Sequence, residues 1–183
     1  MRHYFGSLLM CVSMLFAASE SKLSRPEAAE LIKQARFNPK QIEANSKQLT
    51  VRTGTSYFQE SSEGWQNAKV ALSTVEKIGW FNVSVERTPF ILSSTVTITE
   101  KGKQQSRSWK DGGNGSTWII ATEYPEFVEV SGISTQEPSI AIAEYKWRWM
   151  PTESGKILGI TPGEPTTTNA NFRLYDDGWR IVQ

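Results

Sequence analysis

From residue 118 onward the chain repeats one pattern, apolar residues alternating with polar or second-face residues over stretches too long to be turns. Trp118 to Tyr124, Phe127 to Ile133 and Ile140 to Trp149 each read as a strand. In the third, Ala141, Ala143, Tyr145, Trp147 and Trp149 share a face. The other face starts apolar at Ile140 and Ile142, then becomes Glu144, Lys146 and Arg148, so this strand runs from a covered region toward water. A hairpin closes the chain. Phe172 to Tyr175 and Trp179 to Val182 flank Asp176-Asp177-Gly178, with the glycine suited to the left-handed position of a bulged turn.

The N-terminal half mixes periods. Ser24-Arg25-Pro26-Glu27 is a capping box, and Ala28, Leu31, Ile32 and Ala35 then repeat on one helical face until Asn38-Pro39. Leu49 and Val51 mark a strand over Gln48 to Thr53. A second helix is expected from Glu63 to Ile78, with Trp65, Ala68, Leu72 and Val75 as its stripe and Gly79 as its stop. Two period-two runs follow, around Phe81, Val83 and Val85 and around Val96 and Ile98. The expected class is therefore α+β: an N-terminal helix and hairpin part over 20–103, then a mostly antiparallel β part over 117–183. Residues 104–116 read as a loop or linker. They hold no aliphatic side chain, and Trp109 is their one large apolar residue.

Charge changes sign at the same place. From Glu20 to Lys110 fourteen Lys and Arg face nine acids, and from Asp111 to Gln183 five face ten. The basic residues of the first half are scattered, which fits two complementary or solvated halves better than a nucleic-acid footprint. Nucleic acid is not an expected partner.

The start of the chain reads as a leader. Arg2 precedes the apolar stretch Tyr4 to Ala18, and Ala17-Ala18-Ser19 offers small residues for cleavage before Glu20. A signal peptide over 1–19 implies an exported protein, periplasmic or extracellular, in a bacterial setting. The single His3 and single Cys11 both lie within that leader. A chain that loses it holds no disulfide and must rely on its core for stability. It also has no residue for a Ser-His-Asp triad, a Cys-His pair or a Cys/His zinc site. No Walker A or dinucleotide-binding glycine motif occurs either, so neither an enzyme nor a cofactor is expected. Carboxylate chemistry stays open in principle. Asp176 and Asp177, however, are explained as turn formers, and nothing selects a pair among Glu123, Glu126 and Glu129.

Seven tryptophans are the unusual count. Trp147 and Trp149 offer a face for stacking on sugar rings or on bases, although filling the core explains them better. Trp109, in a polar stretch, is the stronger candidate for an exposed contact. These three are the candidate ligand-binding residues.

Residues 72–103, from Leu72-Ser73-Thr74-Val75-Glu76-Lys77-Ile78-Gly79-Trp80-Phe81 to Thr95-Val96-Thr97-Ile98-Thr99-Glu100-Lys101-Gly102-Lys103, resemble the last helix and wing of a winged-helix domain. The likeness is taken over 63–103 for local shape. Without a preceding second helix or a basic helix face, it implies no DNA binding. The terminal Phe172 to Arg180 hairpin is similar in style to exported bacterial proteins of no known activity. The expectation is thus a non-enzymatic interaction module of the cell envelope, with an envelope protein as partner. The alternative is a binder of glycans, such as cell-wall glycan, or of small ligands through exposed aromatics. A carboxylate-dependent hydrolase ranks third.

Overall fold

A computed structural model describes residues 22–89, 91–113 and 116–182. The leader expected over 1–19 lies outside the described residues. The chain is α+β, as its periodicities imply. Its elements are α1 (Arg25–Arg36), α2 (Pro39–Ala44), β1 (Lys47–Arg52), β2 (Gly54–Phe58), α3 (Glu63–Lys77), β3 (Phe81–Arg87) and β4 (Leu92–Ile98). They continue with α4 (Glu100–Gln105), β5 (Lys110–Asp111), β6 (Thr117–Glu137), β7 (Ile140–Pro151), α5 (Glu153–Ile157), β8 (Thr166–Tyr175) and β9 (Gly178–Val182). A six-stranded antiparallel sheet runs β1-β6-β7-β8-β9 with β5 also on β6, and a three-stranded one runs β2-β4-β3.

Local signals explain the helix ends. The Ser24 hydroxyl accepts from the Glu27 amide, satisfying one free donor of α1. Asn38 caps α2 in the same way through the Gln41 amide, with Pro39 in its first turn. Asn38-Pro39 thus ends one helix and also starts the next, a short one that the sequence pattern did not reveal. Ser62 caps α3, and Gly79 leaves it at φ +74°.

Strand β6 organises the large sheet. Its first part carries β1 on one edge and β5 on the other, and from Glu123 onward β7 takes the second edge. It is one 21-residue strand rather than the two expected on either side of Pro125. β1 pairs no further than Glu123, so Pro125 sits beside an edge with no partner strand, where a missing N–H costs no ladder bond. Register shifts near Phe127, Val130 and Thr135 mark bulges that bend the strand.

Two hydrophobic cores form along β6. In one, Leu23 just before α1 and Ala28 and Ile32 within it pack onto Val130, Ala141, Ala143, Tyr145, Ala170, Phe172 and Trp179. The alanines leave room for the helix to lie close to the sheet. In the other, Val51 and Ile120 of the large sheet meet Val75, Trp80, Phe81, Val96 and Trp109. Residues 22–52 therefore pack with the C-terminal sheet, and the division between cores does not follow the boundary drawn at 104–116. Residues 104–111 of that stretch are structured, with the end of α4, a 3-10 turn over Ser106–Ser108, then β5. Its polar composition reflects its exposed outer side, while Trp109 fastens it down.

Candidate functional site

Trp109 is 8% exposed, so it is not the surface contact expected from its polar neighbours. Its ring lies 5.1 Å from Trp80, stacks on Phe81 at 5.6 Å and meets Trp118 edge-on at 6.1 Å. The rings that bury it are Trp80 and Phe81, well before residues 104–116, and Trp118, just after them, so the composition of the stretch itself misjudged it. The indole N–H of Trp109 is buried without a partner, as is that of Trp118.

Trp147 and Trp149 take the other course. Both are half-buried at the end of β7 and meet edge to face with centroids 5.4 Å apart. Along the same face Ala141, Ala143 and Tyr145 are covered by α1. The cover thins after Phe37, where the chain turns into α2, a helix with no buried residue. β8 also stops at Thr166 opposite Trp147, leaving Trp149 beyond its end. A groove of about 350 Å³ opens there. Trp147, Trp149 and Tyr145 form its floor, Pro125 lies on one side, and Arg36, Phe37 and Asn45 on the other. This size falls within the range of small-ligand sites.

The groove continues into a wider aromatic strip. Phe37 meets Phe127 at 5.8 Å and Tyr145 at 6.1 Å, and Phe127 stacks on Tyr145 at 6.1 Å. Three cations lie over three of these rings. Lys33 Nζ is 5.4 Å from the centre of Phe127, the Arg36 guanidinium 5.7 Å from Tyr145, and Lys47 Nζ 4.5 Å from Trp149. Lys33 and Arg36 come from the last turn of α1, where the helix dipole favours positive charge. Arg36 also donates to the Tyr145 hydroxyl at 2.7 Å, satisfying a side chain only 3% exposed. Arg36, Phe37, Lys47, Pro125 and Tyr145 were not singled out from sequence as site residues. The one local hint was a basic last turn followed directly by an aromatic residue.

Carboxylates on both faces of this part of the sheet are paired. Glu123 bonds Lys47 at 3.0 Å, Glu126 bonds Arg148 at 2.8 Å, and Glu129 bonds Lys146 at 2.8 Å. The hydrogen bond and charge of Lys146 hold the Glu129 carboxyl below its ordinary value. Asp177 pairs with Arg180 in the terminal turn. Among the described residues no three His, Cys, Asp or Glu side chains gather as metal ligands, and no helix is long and apolar enough to cross a membrane.

A second cavity, of about 430 Å³, lies between α2 and β6 against Ile42, Ile119, Ala121 and Tyr124. The Glu43–Lys110 ion pair stands at its rim, and Lys110 lowers the Glu43 pKa by hydrogen bonding first and by charge second. It has no pair of tryptophans and no cation stacked on its walls.

Comparison with protein-family models, curated proteins and solved structures finds no match to this chain. The order of α3, β3 and β4 over 63–98 is helix then hairpin, and the winged-helix likeness has no support beyond that local order.

Proposed function

We propose that this protein is an exported, non-catalytic binding module that holds a glycan in the groove of Trp147 and Trp149. The observation that carries this reading is the pair of half-exposed indoles, set edge to face at the open end of a sheet face that is otherwise sealed. Aromatic faces present apolar area to the C–H side of a sugar ring, and a groove of this size takes one or two such rings. Arg36 beside them supplies N–H donors for hydroxyls.

The other readings have less behind them. A surface for docking an envelope protein needs one continuous apolar patch. Of the exposed apolar residues Tyr57, Val70, Val85, Ile91, Val128, Ile157 and Tyr175, the two on the small sheet's paired strands, Tyr57 and Val85, stand on its opposite faces, since Tyr57 pairs with Ser93 and Val85 with Ser94. A glycoside hydrolase needs one carboxyl held protonated as the acid. Glu129 instead bonds Lys146, whose hydrogen bond and charge hold its carboxyl below the ordinary value, and Glu126 is paired with Arg148.

The test is titration of the protein with soluble oligosaccharides of glucose, of N-acetylglucosamine and of galacturonic acid, following intrinsic tryptophan fluorescence. A saturable change with at least one of them is expected, and Trp147→Ala with Trp149→Ala should abolish it while the protein stays folded by circular dichroism. A flat response across the series, or a response that survives the double substitution, refutes the reading.

A further inference from the structure

We infer that the groove selects glycans that carry a carboxylate, and that Arg36 is the residue that makes this selection. The inference rests on the glycan-binding reading above and concerns which sugars the same groove takes. It comes from the charge balance around the aromatic strip. Lys33 is paired with Glu30 at 2.9 Å, and Lys47 is paired with Glu123 at 3.0 Å. Arg36 is the third cation over these rings, and among the described residues no carboxylate pairs with it. One of its terminal nitrogens donates to the Tyr145 hydroxyl at 2.7 Å and more weakly to the Asn169 carbonyl at 3.4 Å. A guanidinium has five N–H donors in a planar fork, so most of them remain free for an anion.

The position of this charge matters as much as its freedom. Arg36 is half-buried, lines the groove directly and is held against Tyr145, so its long side chain is already ordered before a ligand arrives. A carboxylate reaching it would lose little to ordering the arginine and would gain a charge-assisted hydrogen bond in a partly dry setting. A neutral sugar stacked on Trp147 and Trp149 would leave that charge without a counterpart. Glu123, on the same sheet face as Trp149, is engaged by Lys47, and Glu126 and Glu129 pair with Arg148 and Lys146 on the opposite face, so none of the three neutralises Arg36.

The probes are trigalacturonate and its fully methyl-esterified form, which keeps the sugar rings and removes the charge. Binding is measured by calorimetry at low and at moderate salt, on the wild-type chain, on Arg36→Gln and on Lys33→Gln. Trigalacturonate should bind about tenfold more tightly than the ester, the factor expected for one charge-assisted hydrogen bond, and its affinity should fall with salt. Arg36→Gln should bring the two ligands to equal affinity, and Lys33→Gln, one helical turn away on a cation already paired, should keep the preference. Equal binding of acid and ester to the wild-type chain overturns the inference and leaves the glycan-binding reading standing. Binding of neither overturns the inference, and the glycan-binding reading then falls only if the glucose and N-acetylglucosamine oligosaccharides also give no response. If Arg36→Gln proves unfolded by its thermal transition, the wild-type comparison of acid with ester still decides.

Discussion

Two aromatic clusters stand along β6, one at its start and one beside its middle, and the same side chain behaves differently in each. Trp109 is enclosed by rings from both directions, Trp80 and Phe81 on one side and Trp118 on the other. Trp147 and Trp149 lie on a strand face that α1 covers only as far as Phe37. Tryptophan offers the same large apolar area in both places. What differs is whether a second layer lies over it. In the closed cluster the small sheet and α3 supply that layer. In the open one, α2 replaces α1 at the critical point and buries nothing. The closed cluster therefore serves stability, and the open one is free to serve recognition.

The most forceful way to break this contrast is to truncate one ring from each cluster. Trp109→Ala should cost about 3–5 kcal/mol, as the loss of a large buried aromatic does. Trp149→Ala, on a half-exposed residue, should cost about 1–2 kcal/mol, since less area leaves an apolar setting. Urea unfolding followed by far-UV circular dichroism measures both. Equal losses would mean that the open cluster is a core element after all, and the groove would lose its claim to be a site.

Glycines sharpen the comparison at a smaller scale. A methyl group on Gly102 would stand 2.1 Å from the Trp80 carbonyl oxygen and 2.8 Å from Ile98, inside the closed cluster. One on Gly163 would meet the Trp149 side chain at 3.6 Å, an ordinary contact. Gly102→Ala should therefore destabilise by about 1–3 kcal/mol through overpacking. Gly163→Ala, whose backbone is not in the left-handed region, should change stability by no more than about 0.5 kcal/mol. Melting temperatures of the two variants decide it. A tolerated Gly102→Ala would show that the closed cluster yields more readily than its packing implies.

Where the signal was local, the sequence read well. The Ser24 capping box, the Trp65 to Val75 stripe, the Gly79 stop and the alternation of Ile140 to Trp149 each depend on residues within a few positions of one another, and each lies in its expected element. What escaped was set by distant partners. Trp109 read as exposed because its neighbours in sequence are polar, while the residues that cover it come from positions near 80 and 118. Pro125 read as a strand break because the end of β1 at Glu123 is invisible from the sequence around it. The pairing of β1 with β6 draws residues 22–52 into the C-terminal sheet, and no composition shift announces it. The groove was half legible. Trp147 and Trp149 share a face by period two alone, but Arg36 reaches them only because α1 crosses the sheet at Tyr145.

The smallest expected effect separates the two clusters by their response to acid. The closed core of Val51, Val75, Trp80, Phe81, Val96, Trp109 and Ile120 contains no titratable group. The sheet that carries the open cluster bears ion pairs on its other face, of which Glu129 with Lys146 is one. Lys146 lowers the Glu129 pKa from its ordinary 4.5, first by hydrogen bonding and then by charge. A carboxyl with a depressed folded value contributes stability above its unfolded value and loses it as pH falls through the folded one. The loss thus begins near pH 4.5 and grows below it. The raised value of Lys146 is the other half of the same pair, so its share is full below 10.5 and declines as pH rises past that. Both groups are exposed, so the effect is small and salt weakens it. Glu129→Gln should flatten the acid limb of a stability-against-pH curve measured by urea unfolding at low salt, and it should also flatten the limb above pH 10.5. A variant curve parallel to the wild type on both limbs would mean that solvent already screens the pair, and that the open cluster is held by the α1 packing alone.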